Sequence, residues 1–126
     1  DIDIMNEEES VSRVLSSQEE SRVPLRWAAL LHGQVKADII ASTGISSGID
    51  VAKMLLAGAG SVQVVSTLYK NGIGHLGNIK RELSKWMDGK GYEKIADFSG
   101  KVSKKDVEDP WAFERAQYIR SLLGFD

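Results

Sequence analysis

The stretch from Ala37 to Ser66 restricts the fold more than any other part of the chain. Ala37-Asp38-Ile39-Ile40-Ala41-Ser42 is a short apolar run bounded by turn residues, the pattern of a buried strand. Thr43-Gly44-Ile45-Ser46-Ser47-Gly48 is a glycine–serine loop. Val51, Ala52, Met54, Leu55 and Leu56 follow as the core face of a helix that Asp50 or Ser47 can cap and Gly58 ends. Ser61-Val62-Gln63-Val64-Val65-Ser66 is a second β-branched run. Strand, loop, helix and strand within about 30 residues is the length of one βαβ unit. The spacing therefore predicts an α/β fold with two parallel strands.

The flanks read as follows. Residues 1–21 form a weakly structured lead-in, irregular or an edge hairpin, in which Asp1-Ile2-Asp3-Ile4-Met5 alternates like a short strand. Pro24 suits the first turn of a helix over about 24–32, with Leu25, Ala28, Ala29 and Leu31 on its apolar face and Gly33 as its stop. Leu76, Ile79, Leu83, Trp86 and Met87 recur at spacings of three and four, which predicts a longer helix over about 74–87 ended by Gly89 and Gly91. A short helix is expected over 92–98 and a surface loop over 99–108. Asp109-Pro110 then starts a last helix reaching about Leu123, with Ala112, Ala116 and Ile119 on its stripe.

Parallel strands are normally buried on both faces, and a two-stranded sheet is marginal in water. One βαβ unit with several covering helices fits better as the C-terminal part of a (β/α)8 barrel of about 250 residues. The expected organisation is a single segment, 1–126: a lead-in over 1–21, a phosphate-binding βαβ unit over 22–73 and C-terminal helices over 74–126. The first residue is Asp1, and the chain reads as processed, truncated or one piece of a longer protein. The other reading is a small complete α/β domain whose first residues add a strand or two.

Composition removes several function classes. The 126 residues carry 16 Lys and Arg against 18 Asp and Glu, a formal net charge of −2, so no nucleic-acid partner is expected. Lys101, Lys104 and Lys105 are balanced by Asp106, Glu108 and Asp109. Without cysteine there is no thiolate nucleophile or thiolate metal site. No apolar run approaches the roughly 20 residues of a membrane helix, and no signal peptide is visible, so no membrane partner and a cytoplasmic location are expected.

Candidate chemistry lies at the two strand ends. Backbone N–H groups near a helix start carry partial positive charge, glycine permits close approach, and hydroxyls add donors. The loop Ser42–Gly48 is thus a candidate phosphate cradle, though not a P-loop, because Lys53 lies inside the helix and no Gly-Lys-Ser/Thr follows. Its bland alternative is an ordinary βα turn. The second strand ends in Ser66-Thr67, which either share the same anion, as the last two loops of a barrel often do, or cap the next helical turn. His32 and His75 have no partners with which to form a catalytic set or a zinc site, and Arg26 and Arg81 read as solvated helix faces.

The segments Ala37–Ala59 and Ser61-Val62-Gln63-Val64-Val65-Ser66-Thr67-Leu68-Tyr69-Lys70-Asn71-Gly72 resemble the C-terminal part of dihydroorotate dehydrogenases. Gly91-Tyr92 and Phe98-Ser99-Gly100-Lys101 resemble that family's closing elements. Pro24-Leu25-Arg26-Trp27 and Phe113-Glu114-Arg115-Ala116 are similar to its bacterial "dihydroorotate dehydrogenase-like" branch. The resemblance implies an FMN-dependent (β/α)8 barrel that oxidises dihydroorotate to orotate in pyrimidine synthesis, often as a homo-oligomer. It implies that the FMN phosphate is held at Thr43-Gly44-Ile45 and Ser66-Thr67, with Thr43 and Ser66 standing where the family has glycine. The family's catalytic base and orotate-binding residues match nothing in 1–126, so no catalytic residue is assigned, and the chain alone is expected to be inactive. Two further readings stay open: a non-catalytic phosphate-binding half-barrel that needs a partner for its strand edges, and another flavin-dependent barrel such as a dihydropyrimidine dehydrogenase relative.

Overall fold

The computed structural model describes residues 2–9, 14–106, 115, 116 and 118. Two short strands, β1 (Ile2–Asp3) and β2 (Glu8–Glu9), pair antiparallel as an exposed hairpin. Asp3 stabilises its turn by accepting the Met5 and Asn6 amides. A 3-10 turn over Gln18–Ser21 runs straight into α1 (Arg22–Leu31), so Pro24 falls in the first α-helical turn, where its missing N–H costs nothing. The helix therefore begins two residues before the expected start.

The expected βαβ unit is present. β3 (Ile40–Ala41) and β4 (Ser61–Val62) pair in parallel, with Ile40 opposite Ser61 and Ala41 opposite Val62. Both strands are shorter than the apolar runs that announced them. Only the Gly60 amide on the Ile39 carbonyl and the Gln63 amide on the Ala41 carbonyl extend the ladder, at 2.9 and 2.8 Å. Ile40 remains 64% exposed on this two-stranded sheet, while Ala41 is buried.

Between the strands lies α2 (Gly48–Leu56), which buries Val51, Ala52, Met54 and Leu55. After β4 come the six-residue α3 (Ser66–Asn71) and the long α4 (His75–Lys90). Gly89 lies within α4, and the helix ends at Gly91, which takes the left-handed conformation (φ 72°). α4 lies tightly on α2: a Cβ at Gly48 would meet the Leu83 nitrogen at 2.4 Å and the Ile79 carbonyl at 2.5 Å. Only glycine permits that approach.

The segment expected as a surface loop over 99–108 behaves differently in its first part. After a 3-10 turn at Ile95–Asp97, Phe98 is fully buried, with its ring centroid 5.0 Å from Trp86 and 5.2 Å from Tyr92. The Gly100 and Val102 amides then donate to the Leu55 and Leu56 carbonyls, at 2.9 and 3.0 Å, and Ser103 is buried. These residues satisfy acceptors that the end of α2 leaves without helical partners. Arg26 also departs from expectation, because its Nε is buried without a hydrogen-bond partner among the described residues. The helix expected over 109–123 lies outside the described residues apart from Arg115, Ala116 and Tyr118, which are helical.

Candidate functional site

Parallel strands deliver the loops that follow them to the same end of the sheet. After β3 the backbone turns through two successive left-handed residues, Thr43 (φ 79°) and Gly44 (φ 71°). Glycine adopts this conformation freely, whereas a β-branched residue there is strained, typically by about 1–3 kcal/mol. After β4, Val65 leads into α3 without a side-chain cap.

A residue that the sequence did not mark ties the two loops together. The Gly44 amide donates to Ser16 Oγ at 3.2 Å, and Ser16 donates to Ser66 Oγ at 2.9 Å through both its amide and its hydroxyl. Lys70 Nζ donates to the Ser16 carbonyl at 3.0 Å. Ser16 sits in a polar serine cluster 50 residues before Ser66, with no periodicity to single it out.

The start of α2 is closed from within. Ser47 Oγ accepts the Asp50 amide, while Asp50 accepts the Ser46 and Ser47 amides and both of their hydroxyls. Gln18 Nε2 reaches the same carboxylate at 3.1 Å, and Glu82 accepts the Gly48 amide at 2.8 Å. Asp50 is 3% exposed. Burial works against its charge, but the hydrogen bonds from Gln18, Ser47 and Ser46 outweigh that and hold the carboxyl below its ordinary pKa. The helix end read as a cradle for an external anion thus already holds an internal one. His75 Nε2 lies 3.0 Å from the Ser46 carbonyl, a packing role.

What remains free is narrower. Among the described residues, the amides of Thr43, Ile45, Ser66 and Thr67 have no hydrogen-bond partner. Thr43, Gly44, Ile45 and Ser66 border a cavity of about 290 Å³ that Ser16 and Ser42 also line. At about 30 Å³ per water, that volume holds roughly ten waters, enough for a phosphate and the start of its ester chain. Thr67 stands apart from this cavity: it is buried, its hydroxyl accepts from Asn71 Nδ2 at 3.2 Å, and it borders a smaller cavity of about 190 Å³ beside Lys70. Among the described residues no cluster of His, Asp and Glu is arranged to hold a metal. His32 is wedged against Gly58 and Gly100.

The glycine-bearing loop after β3 and the segment after β4 leave the same end of a parallel sheet and border a polar cavity, the place where α/β folds of the barrel and doubly wound classes commonly carry their ligand sites. Residues 20–87, more than half of the chain, match the family description "Dihydroorotate dehydrogenase", and the chain belongs to that family. It is 43% identical over 65 residues to a dihydroorotate dehydrogenase (fumarate) of Lachancea kluyveri, covering 52% of this chain and 21% of the relative. It is 44% identical over 64 residues to dihydroorotate dehydrogenase A (fumarate) of Lactococcus lactis, covering 51% of this chain and 21% of the relative. A crystal structure of the Eimeria tenella dihydroorotate dehydrogenase in complex with ferulenol superposes with a TM-score of 0.63 at 25% identity, over 68% of this chain and 23% of that one. The chain spans about a fifth of the length of the curated relatives it matches.

Proposed function

We propose that this chain supplies the phosphate-binding segment of an FMN-dependent, dihydroorotate dehydrogenase-like oxidoreductase built on a (β/α)8 barrel. The observation that carries the reading is the set of amides without a partner among the described residues: those of Thr43 and Ile45 in the loop after β3, and those of Ser66 and Thr67 at the start of α3. Three of those four residues border the larger cavity. Backbone donors converging there suit a phosphate dianion, and the Thr43 and Ser66 hydroxyls add to them. Gly44 contributes shape, since a Cβ there would meet the Ser21 nitrogen at 2.5 Å and the Ser17 carbonyl at 2.7 Å. Lys70 brings a positive charge to the adjoining cavity. Bound flavin supplies hydride-accepting chemistry for oxidising a dihydroorotate-like substrate. The residues of this chain hold the phosphate end and leave the proton-transfer role to segments outside it.

The membership over residues 20–87 favours this reading over the non-catalytic half-barrel and over other flavin-dependent barrels. The exposed Ile40 on a two-stranded sheet agrees with a place in a larger barrel. Cytoplasmic location and homo-oligomer formation belong to the same proposal; among the described residues no helix is long and apolar enough to cross a membrane.

The test is titration with FMN and with riboflavin, which lacks the phosphate. FMN is expected to bind at least about tenfold more tightly, the value of one charge-assisted hydrogen bond or more. Equal affinity for both flavins overturns the phosphate assignment.

A further inference from the structure

Asn71-Gly72 is the only asparagine–glycine pair in the sequence; Asn6 and Asn78 precede the bulkier Glu7 and Ile79. Glycine has no side chain to shield its nitrogen or restrict its backbone. The side-chain carbonyl of an asparagine before glycine is therefore open to attack by the next backbone amide. Both residues are exposed here, and a Cβ at Gly72 would meet nothing within 4 Å. The folded chain nevertheless holds both reacting groups. The Gly72 amide, which would be the nucleophile, donates to the Leu68 carbonyl at 2.8 Å. Asn71 Nδ2, which would leave, donates to the Thr67 carbonyl at 3.0 Å and to its hydroxyl at 3.2 Å. Thr67 is buried and fixes that end. The latch is only as strong as α3, which is six residues long and begins without a side-chain cap. Helices this short are marginal, and their ends open locally at small cost.

We propose that Asn71 is a site of spontaneous deamidation, latched by the last turn of α3. When that turn opens, the Gly72 nitrogen gives its proton to solvent base and bonds to Asn71 Cγ. The Cγ–Nδ2 bond breaks, and ammonia leaves with a proton from solvent. Water then opens the succinimide at either carbonyl and leaves aspartate or isoaspartate, with no oxidation or reduction. The product replaces the two donors on Thr67 with a carboxylate at a helix C-terminus, where negative charge is unfavourable. Isoaspartate also reroutes the main chain through the side-chain carbon, which removes the Gly72–Leu68 bond. The new charge borders the same 190 Å³ cavity as Lys70, so an irreversible change at Asn71 offsets the positive charge there as the chain ages.

The test ages the full chain at mildly alkaline pH, both folded and in guanidinium chloride, and reads its peptides by mass spectrometry with isoaspartate methyltransferase labelling. The mass gain of an NH2-to-OH exchange is expected on the peptide that holds Asn71, divided between aspartate and isoaspartate. Asp88-Gly89, within α4, can yield isoaspartate but no mass gain, so mass separates the two sites. The gain is expected to be at least about tenfold slower in the folded chain, because only the open fraction reacts. Asn71→Gln is expected to abolish it. Asn71→Asp, which carries the ordinary aspartate product, is expected to melt about 4 °C below wild type. Equal rates in the folded and unfolded chains overturn the latch. A gain centred on Asn6 or Asn78, or none at Asn71 even in denaturant, overturns the site. An N71D chain as stable as wild type overturns the effect on α3.

Discussion

The two helices that start beside the cavity satisfy their first amides in opposite ways. α2 is closed by its own residues: Ser47, Asp50 and, from α4, Glu82 take up the amides of Ser46, Ser47, Gly48 and Asp50. α3 begins after Val65 with no side-chain cap, and the Ser66 and Thr67 amides are unpartnered among the described residues. The closed helix is held rigidly against α4 and serves as scaffold. The amides without partners among the described residues lie on either side of it, in the turn before α2 and at the start of α3. A glycine–serine loop before a helix thus identifies a region with donors but does not say which of them the chain keeps for itself.

The most severe way to break the contrast is to push α2 off α4. Gly48→Ala places a methyl within 2.4–2.5 Å of the α4 backbone. It is expected to cost about 3 kcal/mol, the upper end for overpacking, read as a lower urea midpoint at unchanged slope. Wild-type stability in G48A would mean that the two helices are not in such close contact. Asp50→Ala opens the closed end instead, stranding the Ser46 and Ser47 amides in a buried setting. A loss of about 2 kcal/mol is expected. A fully neutral D50A would show that solvent caps α2 as well as the carboxylate does.

Acid probes the same group without mutation. The Asp50 carboxyl is held below its ordinary pKa of about 3.9 in the folded chain, so the unfolded chain takes up the proton first as the pH falls. Its contribution is therefore fully present above about pH 5 and is lost as the pH drops through the lowered value. D50N is expected to flatten that part of the stability–pH curve. An unchanged acid limb in D50N assigns the loss to other carboxylates.

The smallest effect on stability belongs to the open end. Ser66→Ala removes the acceptor for the Ser16 amide and hydroxyl, in a half-buried setting. It is expected to cost less than about 1 kcal/mol while weakening FMN binding. A large stability loss with intact FMN binding would turn Ser66 into a structural clasp.

The sequence displayed the βαβ unit plainly because β-branched runs, a glycine–serine loop and an amphipathic helix each leave a periodic or compositional mark. Ser47 and Asp50 were legible as caps for the same reason. Ser16 was not, since its partners lie 28 and 50 residues away and nothing local distinguishes it from Ser17 or Ser21. The docking of residues 99–103 was invisible because the donors are backbone amides, which nearly every residue type possesses. The conformation of Thr43 was hidden too: threonine does not advertise a left-handed backbone, whereas Gly44 does. The exclusion of Thr67 from the larger cavity follows from its burial and its Asn71 bond, neither of which its place beside Ser66 reveals.

The bonds from Gly100 and Val102 to the end of α2 also have a temporal side. Leu55 leaves the ribosome about 45 residues ahead of Gly100, an interval of about 2–9 s at typical elongation rates of roughly 5–20 residues per second. For that interval the nascent α2 lacks the Gly100 and Val102 donors and the Phe98 side chain that later joins its core. The segment is then most open to chaperone capture, or to pairing with a neighbouring nascent chain on the same message.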